Sequence, residues 1–151
     1  MDGIGAWLAQ LQWGRLLDPL IVAAAAVLCI TVHETCHGLA ALALGDPTAR
    51  RMGRLSLNPL KHIDAMGLLM MIVAKVGWAK PVPVNPNYFK NPKRGMAVTA
   101  LAGPVSNFLL SLILLLSLSL VWGHRRSYIT EFEMFLLETA ILSIGLGVFN
   151  L

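Results

Sequence analysis

Two histidines and a glutamate lie within five residues of the chain, in the order His33-Glu34-Thr35-Cys36-His37. This pattern, H-E-x-x-H, places the histidines at positions i and i+4, so on a helix both imidazoles project from one face. Two imidazoles so placed can bind one zinc ion, and the glutamate can take a proton from water that the metal activates. The spacing predicts zinc-dependent amide hydrolysis, with His33 and His37 as metal ligands and Glu34 as general base.

The motif interrupts an otherwise apolar run over residues 19–44, which is long enough to cross a bilayer. A charged side chain in the middle of a membrane helix costs on the order of 2.5 kcal/mol or more, unless a metal, water or a buried partner compensates for it. The alternative to a metal site is a polar cluster that lines a transporter cavity or a helix interface.

The composition indicates a membrane protein of a single compact domain. Of the 151 residues, 56% are hydrophobic and only 13% are charged, which is too few charges to cover a soluble surface. The two cysteines, Cys29 and Cys36, both lie in the first apolar run. A disulfide framework is therefore not expected.

The basic residues indicate the orientation of the chain in the membrane. Nine of the twelve fall between the first and the second long apolar run. They are Arg50, Arg51, Arg54, Lys61, Lys75, Lys80, Lys90, Lys93 and Arg94. Cytosolic loops carry such an excess of lysine and arginine, so we interpret these bases as determinants of topology and expect no nucleic-acid partner.

The expected fold class is a mainly α-helical membrane protein, a polytopic bundle of three long apolar helices with a re-entrant segment and a small β element at the cytosolic face. Alternation of apolar and polar residues predicts a short strand over 53–59, and 81–86 reads as an edge strand because of its prolines. Residues 65–76 are apolar but too short to span, so we expect them to enter the membrane and return. The predicted single protease core runs as follows: an interfacial helix over 1–18, a first transmembrane helix over 19–44, a cytosolic loop over 45–95, a second transmembrane helix over 96–122, opened by Ala102-Gly103-Pro104, and an incomplete third one over 134–151.

Several sequence blocks, in this order, resemble the compact bacterial branch of the site-2 protease family. They are His33-Glu34-Thr35-Cys36-His37-Gly38, Gly45-Asp46-Pro47-Thr48-Ala49, Gly53-Arg54-Leu55-Ser56-Leu57-Asn58-Pro59, His62-Ile63-Asp64, Gly77-Trp78-Ala79-Lys80-Pro81-Val82-Pro83-Val84-Asn85 and Ala102-Gly103-Pro104-Val105-Ser106-Asn107.

The resemblance implies an intramembrane zinc endopeptidase of the bacterial cell membrane that cuts transmembrane or membrane-adjacent segments of other proteins near the cytosolic face. It assigns metal ligation to His33 and His37 and the general-base role to Glu34. In this family the third ligand is an aspartate that follows a phrase like Phe149-Asn150-Leu151, where this chain ends. We therefore expect a truncated piece of a longer enzyme, with the third ligand beyond Leu151.

Other side chains have two interpretations each. Asp64 is a candidate third ligand or the N-terminal cap of the apolar segment after it. Cys36 is a candidate soft ligand or a packing residue, and Asn107 is a candidate for binding substrate or for packing between helices. His62 reads as an orienting residue, and Glu138 receives no role.

Two other functions compete with proteolysis. One is an inactive membrane remnant or binding module that holds helices without cutting them. The other is a metal or proton transporter. Both alternatives also place the protein in a lipid bilayer. The sequence does not indicate an oligomeric state.

Overall fold

The computed structural model describes residues 13–74, 78–122 and 129–151, which form helices joined by loops. The helices are α1 (Trp13–Ala43), α2 (Thr48–Arg51), α3 (Ala65–Ala74), α4 (Pro92–Trp122) and α5 (Glu131–Phe149), with 3₁₀ turns at Pro59–Lys61 and Pro86–Tyr88.

Three of these helices are long and apolar enough to cross a membrane, over Leu17–Ala43, Pro92–Trp122 and Glu131–Phe149. Each packs against the other two. Polar contacts join them in the interior: the Cys29 thiol donates to the carbonyl of Thr139 at 3.3 Å, and the Ser143 hydroxyl donates to the carbonyl of Asn107 at 2.9 Å. The prediction of a mainly helical fold with three long apolar helices is confirmed, and the length and composition of these helices fit a membrane protein.

The helices are longer than the apolar runs. The helix α1 begins at Trp13, six residues before the first run, 19–44, passes through Pro19 and ends at Ala43, one residue before the end of the run. The second helix begins at Pro92 rather than residue 96, so Gly103 and Pro104 lie inside it rather than at its start. The third begins at Glu131, three residues before the predicted start, because Thr130 and Glu133 form a capping box there. Most of the predicted interfacial helix, residues 1–12, lies outside the described residues.

The end of α1 at Ala43 lies within one residue of the predicted end of the first transmembrane helix. Gly45 has a φ of 105°, a left-handed conformation that glycine adopts without a Cβ penalty. Its N–H donates to the carbonyl of Leu42 at 3.0 Å, and the N–H of Asp46 donates to that of Ala41 at 2.9 Å. This pair of bonds satisfies carbonyls that the last turn leaves free.

The predicted strand over 53–59 is wrong, because these residues form no strand in the described part of the chain. Side chains take the place of a partner strand here. The carbonyl of Ser56 accepts from the Thr35 hydroxyl at 3.0 Å and from Nε2 of His62 at 2.7 Å.

The predicted edge strand over 81–86 is also wrong as a strand. These residues are not paired with a strand among those described, and the nearest bridge is an isolated one between Ile63 and Ala79. The N–H groups of Val82 and Asn85 donate to carboxylates instead of to carbonyls of a sheet. The predicted re-entrant segment corresponds to α3, and its path through the membrane stays a prediction.

Candidate metal and catalytic site

The two motif histidines lie one above the other on α1. Their ring centroids are 4.6 Å apart, with the ring planes at 87° to each other. His33 is only 5% exposed, and His37 is partly exposed and contacts α4. The helix thus brings both imidazoles to one face, as the i, i+4 spacing predicts.

The hydrogen bond of His37 sets which of its nitrogens can bind a metal. Its Nδ1 lies 2.6 Å from the carbonyl oxygen of Thr99 on α4. A carbonyl oxygen can only accept, so Nδ1 donates and Nε2 keeps its lone pair free. Metal-binding histidines are commonly oriented by such a bond on the other ring nitrogen.

Gly103 leaves room beside both imidazoles. A Cβ placed on this residue would lie 2.6 Å from Nε2 of His33 and 2.5 Å from Nε2 of His37. Both nitrogens therefore face one small space, and only glycine keeps that space open. The arrangement fits an ion held by two Nε2 atoms.

The glutamate of the motif is hydrogen-bonded to a loop. Oε2 of Glu34 accepts from the backbone N–H of Val82 at 2.9 Å. No described residue donates to Oε1. Glu34 and His33 both line a cavity of about 460 Å³.

That cavity has apolar walls and a polar end. Residues of α1 that recur at helical spacing form one wall: Ala23, Ala26, Val27, Ile30 and Glu34. Residues of the loops and of the end of α5 also line the cavity: Pro59, His62, Ile63, Asp64, Trp78, Ala79, Leu146 and Asn150. His33 and Glu34 thus open onto a cavity whose lining is largely apolar.

Asp64 lies on this cavity but does not join the histidines. Its Oδ1 accepts from the N–H of Gly67 at 2.8 Å, the bond of a residue that caps α3. Among the described residues no three of His, Cys, Asp and Glu lie together as a metal-binding group, and this includes Cys36. The described part of the chain brings two candidate metal ligands together, His33 and His37.

Asn107 lies one helical turn beyond Gly103 on α4 and is fully buried. Its backbone carbonyl serves packing with α5 through Ser143. Neither Nδ2 nor Oδ1 of its side chain has a hydrogen-bond partner among the described residues. A buried amide without partners is costly, so these two atoms need a partner that the described residues do not supply. Neither Asn107 nor Glu138 lines the cavity.

Two groups near the site were not predicted as site residues. The N–H of Val82 reaches Glu34, although the sequence predicted this residue only as part of an edge strand. Arg54 reads as one of many cytosolic bases, yet its guanidinium binds backbone carbonyls of two loops. For Val82, the available sequence signal is that Pro81 and Pro83 carry no N–H, which leaves one donor in three residues.

Two curated bacterial proteins are similar to the chain. It is 39% identical over 129 residues to "Putative zinc metalloprotease YwhC" of Bacillus subtilis, which covers 83% of the chain and 59% of YwhC. It is 31% identical over 102 residues to "Putative zinc metalloprotease Rip2" of Mycolicibacterium smegmatis, which covers 64% of the chain and 39% of Rip2. The chain thus spans less than two thirds of the length of either relative. No family model and no solved structure matches it.

Proposed function

Because the chain belongs with YwhC and Rip2 to the site-2 protease family of zinc metalloproteases, we propose that it forms the core of an intramembrane endopeptidase. It hydrolyses peptide bonds in or next to transmembrane segments of other proteins. One observation carries the proposal. Nε2 of His33 and Nε2 of His37 face the same space beside Gly103, and Glu34, the residue after His33 on α1, lines a cavity.

His33 and His37 would hold the zinc ion through Nε2. When bound, zinc acidifies water to a pKa near 7 and polarises a peptide carbonyl. The Thr99 carbonyl holds His37 in the tautomer that this ligation requires. Catalytic zinc usually has three protein ligands, and the described residues bring together only His33 and His37. We therefore propose that a carboxylate outside the described residues supplies the third ligand.

Glu34 is the general base. Its carboxylate accepts a proton as water attacks the peptide carbonyl, and it then delivers that proton to the amine that leaves. Oε2 is engaged by the N–H of Val82, which leaves Oε1 for the proton. Groups placed in this way contribute roughly 10²–10⁴-fold to the rate.

The substrate is an unwound apolar segment of a membrane protein. An intact helix hides its peptide groups in its own hydrogen bonds, so a segment must open before water can attack it. The cavity along α1 is lined by apolar residues such as Ala23 and Ile30 and by Glu34. This lining suits an apolar substrate segment that enters from the lipid. The unpartnered amide of Asn107 is the group that we propose to bind substrate backbone.

We place the site near the cytosolic face of a bacterial cell membrane. The basic residues between α1 and α4 support this orientation, and the motif lies toward the same end of α1.

The test is cleavage of a single-span membrane protein in liposomes by the protein expressed from its full coding sequence. We expect zinc-dependent cleavage, and a rate at least about 10²-fold lower for Glu34→Gln at equal zinc content. Equal cleavage by Glu34→Gln would contradict the role of this residue. Zinc transport that survives the substitution, without cleavage, would favour a transporter.

A further inference from the structure

The extended residues 80–85, here called the brace, run across α1 at the level of the glutamate. Pro81 and Pro83 have no N–H, so Val82 is the donor that this part of the brace can offer. Its N–H lies 2.9 Å from Oε2 of Glu34. The carboxylate of the general base is therefore bound to a loop from a distant part of the chain rather than to its own helix.

Arg54 holds the first end of the brace. Its guanidinium donates to the carbonyl of Lys80 at 2.6 Å, to that of Pro81 at 3.2 Å, and also to the carbonyl of Lys61. A guanidinium is planar and rigid, so several bonds from one side chain fix the position of the carbonyls it contacts. The residue directly before Val82 is thus anchored.

Asp46 holds the other end. Its Oδ2 accepts from the N–H of Asn85 at 2.7 Å, and its Oδ1 accepts from the N–H of Thr48 at 2.9 Å and from the Thr48 hydroxyl. The side chain of Asp46 is fully buried, so water does not compete for these bonds. The brace is tied to the loop at the end of α1.

Val82 also packs against α1 itself. Its side chain is 8% exposed, and a Cβ at Gly38 would lie 3.2 Å from its Cγ1. Gly38 is one helical turn after Glu34, so close approach at glycine lets the brace reach the carboxylate. The N–H of Val82 is fixed by two tethers and by packing.

We propose that Arg54 and Asp46 are positioning residues for Glu34 that act through the backbone N–H of Val82. Held by this bond, Oε2 is fixed and Oε1 is presented to water in one orientation. Errors of about 1 Å in such an orientation can cost roughly 10²-fold in rate. The proposal rests on the proposed function, since it assigns these residues to the orientation of its general base.

The first experiment removes single N–H groups from the brace. Val82→Pro deletes the donor to Glu34, whereas Val84→Pro deletes an N–H that has no acceptor among the described residues. Arg54→Gln loosens the first tether. We expect kcat to fall about tenfold or more for Val82→Pro and Arg54→Gln relative to Val84→Pro, with KM and bound zinc within about twofold of wild type. Equal kcat in Val82→Pro and Val84→Pro, or a loss confined to KM, would overturn the proposal.

The second experiment does not depend on activity. Hydrogen exchange of the Val82 amide, followed by NMR in detergent, should be at least about tenfold faster in Glu34→Ala and in Arg54→Gln than in wild type. In Glu34→Ala the Asn85 amide should keep its protection, because its acceptor is Asp46. An unchanged rate of Val82 amide exchange in both variants would contradict the proposal that the brace positions Glu34, even if the chain cleaves membrane proteins. A chain that binds zinc without cleaving would contradict only the proposed function.

Discussion

At the scale of single residues, the site depends on the absence of a side chain at Gly103, which leaves a space beside the imidazoles of His33 and His37. The H-E-x-x-H spacing was sufficient to predict that His33 and His37 share a helix face with Glu34 beside them. It could not predict that α4 approaches this face with Gly103, because that contact joins residues about seventy positions apart in sequence. Nor could it reveal that the Thr99 carbonyl selects the tautomer of His37.

Gly103→Ala tests this close approach. Its Cβ would lie 2.5 Å from Nε2 of His37, well inside van der Waals contact, so the imidazoles or α4 must move. We expect zinc affinity at least about tenfold weaker, measured by competition with a chelator of known affinity. Gly145→Ala is the matched control, because nothing lies within 4 Å of the added Cβ on α5. Equal zinc affinity in both variants would contradict the geometry of the site.

At the scale of elements, the loops between α1 and α4 explain why two predicted strands are absent from the described residues. Alternating apolar and polar residues fit a strand, and the segments are in fact extended or irregular. Their backbone groups, however, are bound by the side chains of His62, Arg54 and Asp46. Periodicity predicts which faces of a segment are apolar, but it does not predict such long-range side-chain partners.

The Asp46 tether should depend on pH in a definite direction. Burial raises the pKa of its carboxyl, but hydrogen bonds from Thr48 and Asn85 and the charge of Arg51 outweigh burial and hold the pKa below its ordinary value of 3.8. A carboxyl with a lowered folded pKa stabilises the fold above its unfolded pKa, and this stabilisation is lost as pH falls through the folded pKa.

We therefore expect Asp46→Asn to cost about 1–3 kcal/mol at pH 7. The difference in melting temperature between wild type and Asp46→Asn in detergent should be constant above about pH 5 and should shrink at lower pH. A difference that stays the same down to pH 2 would contradict the assignment of the shift to the ionised tether.

At the scale of the whole molecule, three packed helices are long and apolar enough to cross a membrane, and the segment between α1 and α4 carries most of the basic residues. The long apolar runs predicted the number and order of these helices, because crossing a bilayer requires about 20 apolar residues. The apolar runs predicted the helix ends less accurately. The start of α5 is set by the cap at Thr130, and α1 and α4 continue through a proline that the sequence would favour as a helix boundary.

The orientation can be tested by labelling with a membrane-impermeant maleimide. Met52→Cys and Ile129→Cys place thiols at residues that are 63% and 52% exposed, in a chain with Cys29 and Cys36 replaced by alanine. In intact cells we expect labelling at position 129 only, and labelling at both positions after permeabilisation. Labelling at position 52 in intact cells would place the basic loops outside the cell.

The central claim is that His33 and His37 hold the zinc ion beside Glu34. It is tested most directly by elemental analysis of the protein purified from its full coding sequence. We predict about one zinc per chain in wild type and in Glu34→Gln, and a loss of most of it in His37→Ala. A zinc content that is unchanged in His37→Ala, or wild-type protein that binds no zinc when metal is supplied, would contradict the account.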